Sequence, residues 1–241
     1  MNRRITLAIL VLLAAGTRSV QATSCPVPDT FTIQGSDLAA TSAAIAKRDL
    51  TVLALGGAAT LGVPAKGEAF TYPARLEARL RSALPGVTVT VAVRAFPRQS
   101  DADLLPRLDA WLAAVKPALV IWGPGASAVA RGDDLDTFNA ALTEVIGKIR
   151  TAGADLVLMT LQYAPSVSRL VNLYPYRMAV IRGGDVAGVP VLDRYELMRF
   201  WSDNGFLNLD ATNADERIRV SRTLYDCMAE ILSEAIVDAA K

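Results

Sequence analysis

The feature that most constrains the fold is a set of five short, largely apolar runs, at residues 50–55, 87–93, 118–122, 155–160 and 189–192. A strand with one wetted face alternates apolar and polar residues, whereas a strand covered on both faces is apolar along its length. Between the runs lie segments with apolar residues at helical spacing. Residues 72–84 carry Leu76, Leu80 and Leu84, with Pro73 suited to a first turn. Residues 101–115 carry Leu104, Leu105, Leu108, Trp111 and Leu112. Residues 133–151 carry Leu135, Phe138, Leu142, Val145 and Ile149 behind Asp133 and Asp134, either of which can cap a helix. The longest pattern, 213–240, has Ile218, Leu224, Met228, Ile231, Leu232 and Ile236.

Strands alternating with helices predict βαβ units and a parallel sheet. Right-handed crossovers then place helices on both faces. The expected fold class is α/β, a three-layer α/β/α sandwich around a flavodoxin-like, roughly five-stranded parallel sheet. Its ligand crevice should lie beyond the carboxyl ends of the strands. A short helix is expected at 41–47, and Ser36 reads as a helix cap. The segment 170–186, with Tyr174-Pro175-Tyr176 and Gly183-Gly184, reads as a helix broken by a loop over the crevice. No repeat or linker divides the chain.

Composition mainly excludes. The 241 residues are 52% hydrophobic with a net charge of +1, which gives no basic stripe for nucleic acid. There is no histidine, so Ser-His-Asp and Cys-His nucleophilic catalysis are out of reach, as are HExxH metal sites. No GxSxG, GxGxxG or Walker A sequence follows a strand, so no nucleotide cofactor or metal is expected.

The N-terminus reads as a targeting segment. Asn2-Arg3-Arg4 precedes an apolar run from Ile5 to Ala15, and Val20-Gln21-Ala22 supplies small residues at −3 and −1. We expect a signal peptide at 1–22, a lead-in at 23–49 and the main domain at 50–241. The run is short for a membrane span, which needs ~20 apolar residues. A lipid anchor on Cys25 has a poor recognition sequence before it. The expected location is periplasmic or secreted, with no stable membrane insertion after cleavage. In such an oxidising compartment Cys25 and Cys227, the only cysteines, invite a disulfide; two unpaired thiols are the alternative.

Four loop sequences then resemble the catalytic blocks of the SGNH (GDSL-type) hydrolases, in the right order and at strand ends. After the first strand stands Leu55-Gly56-Gly57-Ala58-Ala59-Thr60, and after the second Val93-Arg94-Ala95-Phe96-Pro97-Arg98. After the third stands Trp122-Gly123-Pro124-Gly125-Ala126-Ser127, and before the last helix Asp210-Ala211-Thr212-Asn213. Arg131-Gly132-Asp133-Asp134 and Leu161-Gln162-Tyr163-Ala164-Pro165 also look like a secreted branch of that family. The resemblance, which runs from about residue 50 to 236, implies a nucleophilic serine at position 58 and an oxyanion glycine at 98. It further implies an oxyanion asparagine at 127 and an Asp-x-x-His at 210–213. Here those positions hold Ala58, Arg98, Ser127, Asp210 and Asn213, vestigial positions of which only Asp210 keeps the family residue.

The resemblance therefore implies an esterase scaffold without its chemistry, a pseudoenzyme. Candidate ligand-binding residues are Gly57, Ala58, Arg98, Gly125, Ser127, Asp210 and Asn213, with Arg98 offering a guanidinium for an anion. Asp210 can alternatively cap the last helix. The ligand is expected to be a small molecule of acyl or carbohydrate type. A second reading keeps an active esterase with relocated groups, using Ser127 or Ser100 with Asp210. A third makes Phe96, Trp122, Tyr174, Tyr176 and Trp201 a patch for an envelope protein partner.

Overall fold

The computed structural model describes residues 25–29, 31, 33, 38–62, 65–97 and 100–239. The signal-peptide reading, Ser36 and Arg98 fall outside them. Five strands, β1 (Asp49–Gly56), β2 (Thr88–Ala95), β3 (Leu119–Trp122), β4 (Asp155–Met159) and β5 (Val191–Leu192), form one sheet in the order β2-β1-β3-β4-β5. Every neighbouring pair is parallel. The fold class is the one expected. β5 is reduced to two residues, because Val189 N bonds back to Gly184 O of the helix before it and Pro190, whose carbonyl accepts from Leu158 N, has no N–H for the ladder.

Side chains within each apolar run alternate between two cores. Val52, Ala54, Leu119, Ile121, Val157 and Met159 face one layer of helices. Leu53, Leu55, Val120, Trp122, Leu156 and Leu158 face the other. The first layer contains α1 (Ala39–Ala46), α2 (Tyr72–Ala83), α8 (Arg194–Asp203) and α9 (Ala214–Ala239). The second contains α3 (Leu105–Val115), α5 (Leu135–Thr151) and α7 (Tyr174–Ala187). Each fully buried leucine of these cores is worth about 1.5–3 kcal/mol against exposure.

Capping fixes where the helices begin. Thr71 accepts from Ala74 N at 3.3 Å with Pro73 in the first turn, and Asp134 accepts from Thr137 N at 2.8 Å. The pattern at 101–115 divides into a 3-10 turn (Ala102–Leu104) and α3, because Ser100 and Asp103 close a reciprocal capping box around the turn. The segment at 170–186 corrects its sequence reading. α7 runs unbroken through Gly183 and Gly184, and packing explains both glycines. A Cβ at Gly183 would lie 2.7 Å from Leu142 Cδ2, and one at Gly184 would lie 2.2 Å from Val191 Cγ2. None of these residues borders the crevice.

The residues before β1 belong to the same core. Cys25 is bonded to Cys227 of α9, and Leu38 is buried. Thr41 donates through its backbone N and its Oγ1 to Asp155 Oδ2, both at 2.7 Å, which ties α1 to the start of β4.

Candidate functional site

The sheet order reverses between β1 and β3, whose neighbours are β2 on one side and β4 on the other. At such a switch point the connections leave in opposite directions and a crevice opens beyond the strand ends. A cavity of about 470 Å³ lies there. Its floor is the loop Gly56–Thr60 after β1 and Trp122-Gly123 after β3. Phe96 after β2 and Trp111 of α3 form a wall, stacked with ring centroids 5.5 Å apart. Leu55 and Leu104 add apolar surface.

Glycine is required at one position in this floor and at one behind it. A Cβ on Gly56 would meet Thr60 Oγ1 at 2.2 Å, so only glycine lets the loop fold back over the end of β1. Gly125 has φ +96°, and a Cβ there would lie 3.2 Å from Leu161 Cγ. Gly125 precedes α4 (Ala126–Arg131), which carries Ser127, and its N–H donates to Asp101 Oδ2 at 2.9 Å.

Of the residues singled out from sequence, Gly57, Ala58 and Ser127 border the cavity together. Ser127 Oγ lies 4.0 Å from where a Cβ on Gly57 would be. Gly125 is buried behind them, held by Asp101. Asp210 and Asn213 are not brought in. Asp210 pairs with Arg169 at 3.2 Å on the surface. Asn213 Oδ1 accepts from Asp215 N at 2.9 Å and Glu216 N at 3.1 Å, so Asn213, rather than Asp210, caps α9. Ser100 borders the cavity, but its Oγ accepts from Asp103 N at 3.0 Å as part of the turn cap. Of the aromatic residues, Phe96 and Trp122 line the crevice, Trp201 is core, and Tyr174 is exposed on α7.

Sequence reasoning missed the charged groups of the crevice. Arg194 opens α8 just after β5 and is 4% exposed. Its Nε donates to Thr160 O at 3.0 Å. Among the described residues its terminal nitrogens have no hydrogen-bond acceptor, and no carboxylate pairs with it. Burial pulls its pKa down to about 10, while the neighbouring phenols of Tyr72 and Tyr225 act the other way, so it stays a cation at neutral pH. Burial in turn pushes Tyr72 up to about 12 and raises Tyr225, so neither phenol supplies a negative charge. Arg94 also lines the cavity and, among the described residues, donates only to Val93 O, at 2.9 Å. Arg131 is answered by Asp103 and Asp133, each at 3.4 Å. Asp101, 9% exposed, is the acid of the lining. Burial raises its pKa to about 6, the Gly125 amide opposes the shift, and Asp133 adds to it. The one sequence signal for Arg194 is its place directly after an apolar run, where a chain enters the active edge of a parallel sheet.

Comparison with known proteins agrees with this arrangement. An esterase from Pseudoalteromonas sp., inhibited by monoethylphosphonate, superposes with a TM-score of 0.60 at 17% identity, covering 78% of this chain and 98% of that one. The lipase/acylhydrolase from Enterococcus faecalis gives 0.61 at 19% identity, covering 78% and 95%. A two-domain esterase active on acetylated mannans gives 0.68 at 14% identity, covering 86% of this chain and 54% of that one. No curated protein matches the sequence. These likenesses show the fold of SGNH/GDSL-type esterases, and the sequence itself matches the non-GDSL lipase-like family over residues 24–241. The chain therefore belongs to the non-GDSL lipase-like family.

Proposed function

We propose that this is an exported pseudoenzyme whose crevice binds a small ligand and does not hydrolyse it. The observation that carries this reading is the state of the crevice hydroxyls. Nucleophilic catalysis by serine needs a base within hydrogen-bond reach. Among the described residues Ser127 Oγ has no hydrogen-bond partner, and Ser100 Oγ is bonded to the Asp103 amide. Position 58 holds alanine, and Asp210 and Asn213 are engaged at the surface. The cavity itself persists, at a volume ordinary for a small-molecule site. Its apolar wall suits an acyl chain or the face of a sugar, and one structural neighbour acts on acetylated mannans.

Export is supported by the Cys25–Cys227 disulfide, which belongs to an oxidising compartment. No helix among the described residues is long and apolar enough to cross a membrane. The competing reading, an esterase with relocated groups, rests on Ser127 standing beside Gly57 in the crevice.

Turnover of short-chain aryl esters by the purified protein decides between them, with Ser127→Ala as the matched control and a serine-reactive fluorophosphonate as probe. The expected result is no rate above that control and no labelled serine. Turnover that disappears in Ser127→Ala, with the label on Ser127, overturns the proposal.

A further inference from the structure

In the wall of the crevice lies a buried cation with no counter-ion among the described residues. A charged side chain removed from water is unfavourable unless it is paired and hydrogen-bonded. Arg194 is 4% exposed, spends one N–H on Thr160 O, and leaves its terminal nitrogens without an acceptor among the described residues. Its place in the helix adds to the imbalance. Arg194 is the first residue of α8, where the helix dipole presents its positive end and favours anions. The capping acid one residue earlier does not answer it. Asp193 is taken by Arg177, by Thr160 Oγ1 at 2.8 Å and by the Glu196 amide.

The guanidinium lies against the loop after β3, where an ideal Cβ on Gly123 would sit 3.4 Å from Arg194 Nη2. Arg94 places a second guanidinium on the lining without an acid partner among the described residues. Trp122, also on the lining, keeps an indole N–H buried with no acceptor among the described residues. Donors and positive charge are thus in excess, against a wall of Phe96, Trp111, Leu55 and Leu104.

We infer that the crevice is a receptor for a small organic anion, a carboxylate or a phosphonate-type group on an apolar body, with Arg194 as the principal counter-charge. The inference rests on the proposal that the crevice binds ligand. It names the chemistry of that ligand and the residue that selects it. A planar guanidinium with free terminal nitrogens matches two oxygens of a carboxylate or phosphonate. The apolar wall takes the remainder.

Calorimetric titration of the disulfide-intact protein with hexanoate, hexylphosphonate and the neutral isostere hexanamide tests this. Wild type is expected to bind at least one anion about tenfold or more tightly than hexanamide, the margin of a charge-assisted hydrogen bond. Whichever anion is preferred identifies the source of the charge. Two variants locate it. Arg194→Gln should abolish the preference, so that the anions and hexanamide bind alike. Gly123→Asp, which sets a carboxylate against Nη2 without removing the arginine, should abolish it too, and keeps the test decisive if Arg194→Gln does not fold. Equal binding of hexanoate, hexylphosphonate and hexanamide in wild type overturns the anion receptor but leaves a ligand crevice standing. An anion preference that survives both variants overturns the role of Arg194. Binding of none of the three overturns both the receptor and the crevice reading beneath it.

Discussion

Arg79 and Arg194 show two ways in which one molecule handles a guanidinium. Arg79, on α2, reaches α9, where it meets Asp226 at 3.1 Å and Glu230 at 2.9 Å. Glu230 is 5% exposed, so this pair is a bolt between two helices that already pack closely, beside the disulfide to Cys227. Arg194 is as deeply buried as Glu230 and has no acid at all among the described residues. Where a region serves only the fold, its charges are matched. At the end of the sheet a buried charge is left open, at a cost in stability. That contrast supports the proposal that the crevice binds something from outside.

The largest effect expected from breaking the comparison is on the matched side. Replacing Cys25 and Cys227 with serine should lower unfolding free energy by up to ~5 kcal/mol, because the bridge spans 202 residues of sequence and restrains the unfolded chain. Denaturant unfolding, with the crevice probed by ligand binding, checks it. A loss below ~1 kcal/mol would mean that α9 is held by packing alone.

The two arginines should next respond with opposite sign. Arg79→Met removes the ion pair to the buried Glu230 and should cost about 2 kcal/mol, discounted for the partial exposure of Arg79. Arg194→Met removes an uncompensated charge and should be neutral or stabilising by about 1 kcal/mol, despite the lost bond to Thr160 O. Thermal unfolding of the two variants near neutral pH is the measurement. Equal destabilisation would show that Arg194 is a structural group after all.

The smallest effect concerns Asp101. Its folded pKa of about 6 lies above the ordinary carboxylate value, so the folded state holds the proton more tightly. Its charge therefore costs nothing below about pH 4, costs progressively more as pH rises through 6, and is a full penalty above that. Asp101→Asn keeps an acceptor for Gly125 N–H and should stabilise by about 1 kcal/mol above pH 7, with no gain near pH 4. Stability measured across that range checks the sign. A gain that does not vary with pH would show that folding leaves the carboxyl's titration unshifted.

Much of this molecule was legible before any coordinates. Strands covered on both faces announce themselves as apolar runs, because the requirement is met residue by residue. Helices with one buried stripe do the same through their spacing. The absence of histidine and the alanine at position 58 are facts of composition and order. α8 went unread because its buried residues Leu197, Met198 and Trp201 are interleaved with Arg194, Glu196, Arg199 and Asp203. The block before α9 misled for a related reason. A resemblance in sequence carries the residue to the right loop, but Asp210 turns to Arg169 and Asn213 turns to its own helix, local bonds that a motif does not report.

Sequence by itself determined the layers, the parallel sheet and the place of the crevice, together with the absence of histidine and the alanine at position 58. These follow from local patterns of hydrophobicity and from residue identity. Tertiary structure alone decided that Arg194, from after β5, would be buried beside Gly123, from after β3, with no acid among the described residues to meet it. An arginine is most often exposed, and nothing in its neighbours along the chain says otherwise. Its burial and its missing partner are properties of groups distant in sequence. They come into being only when the strand ends are brought together.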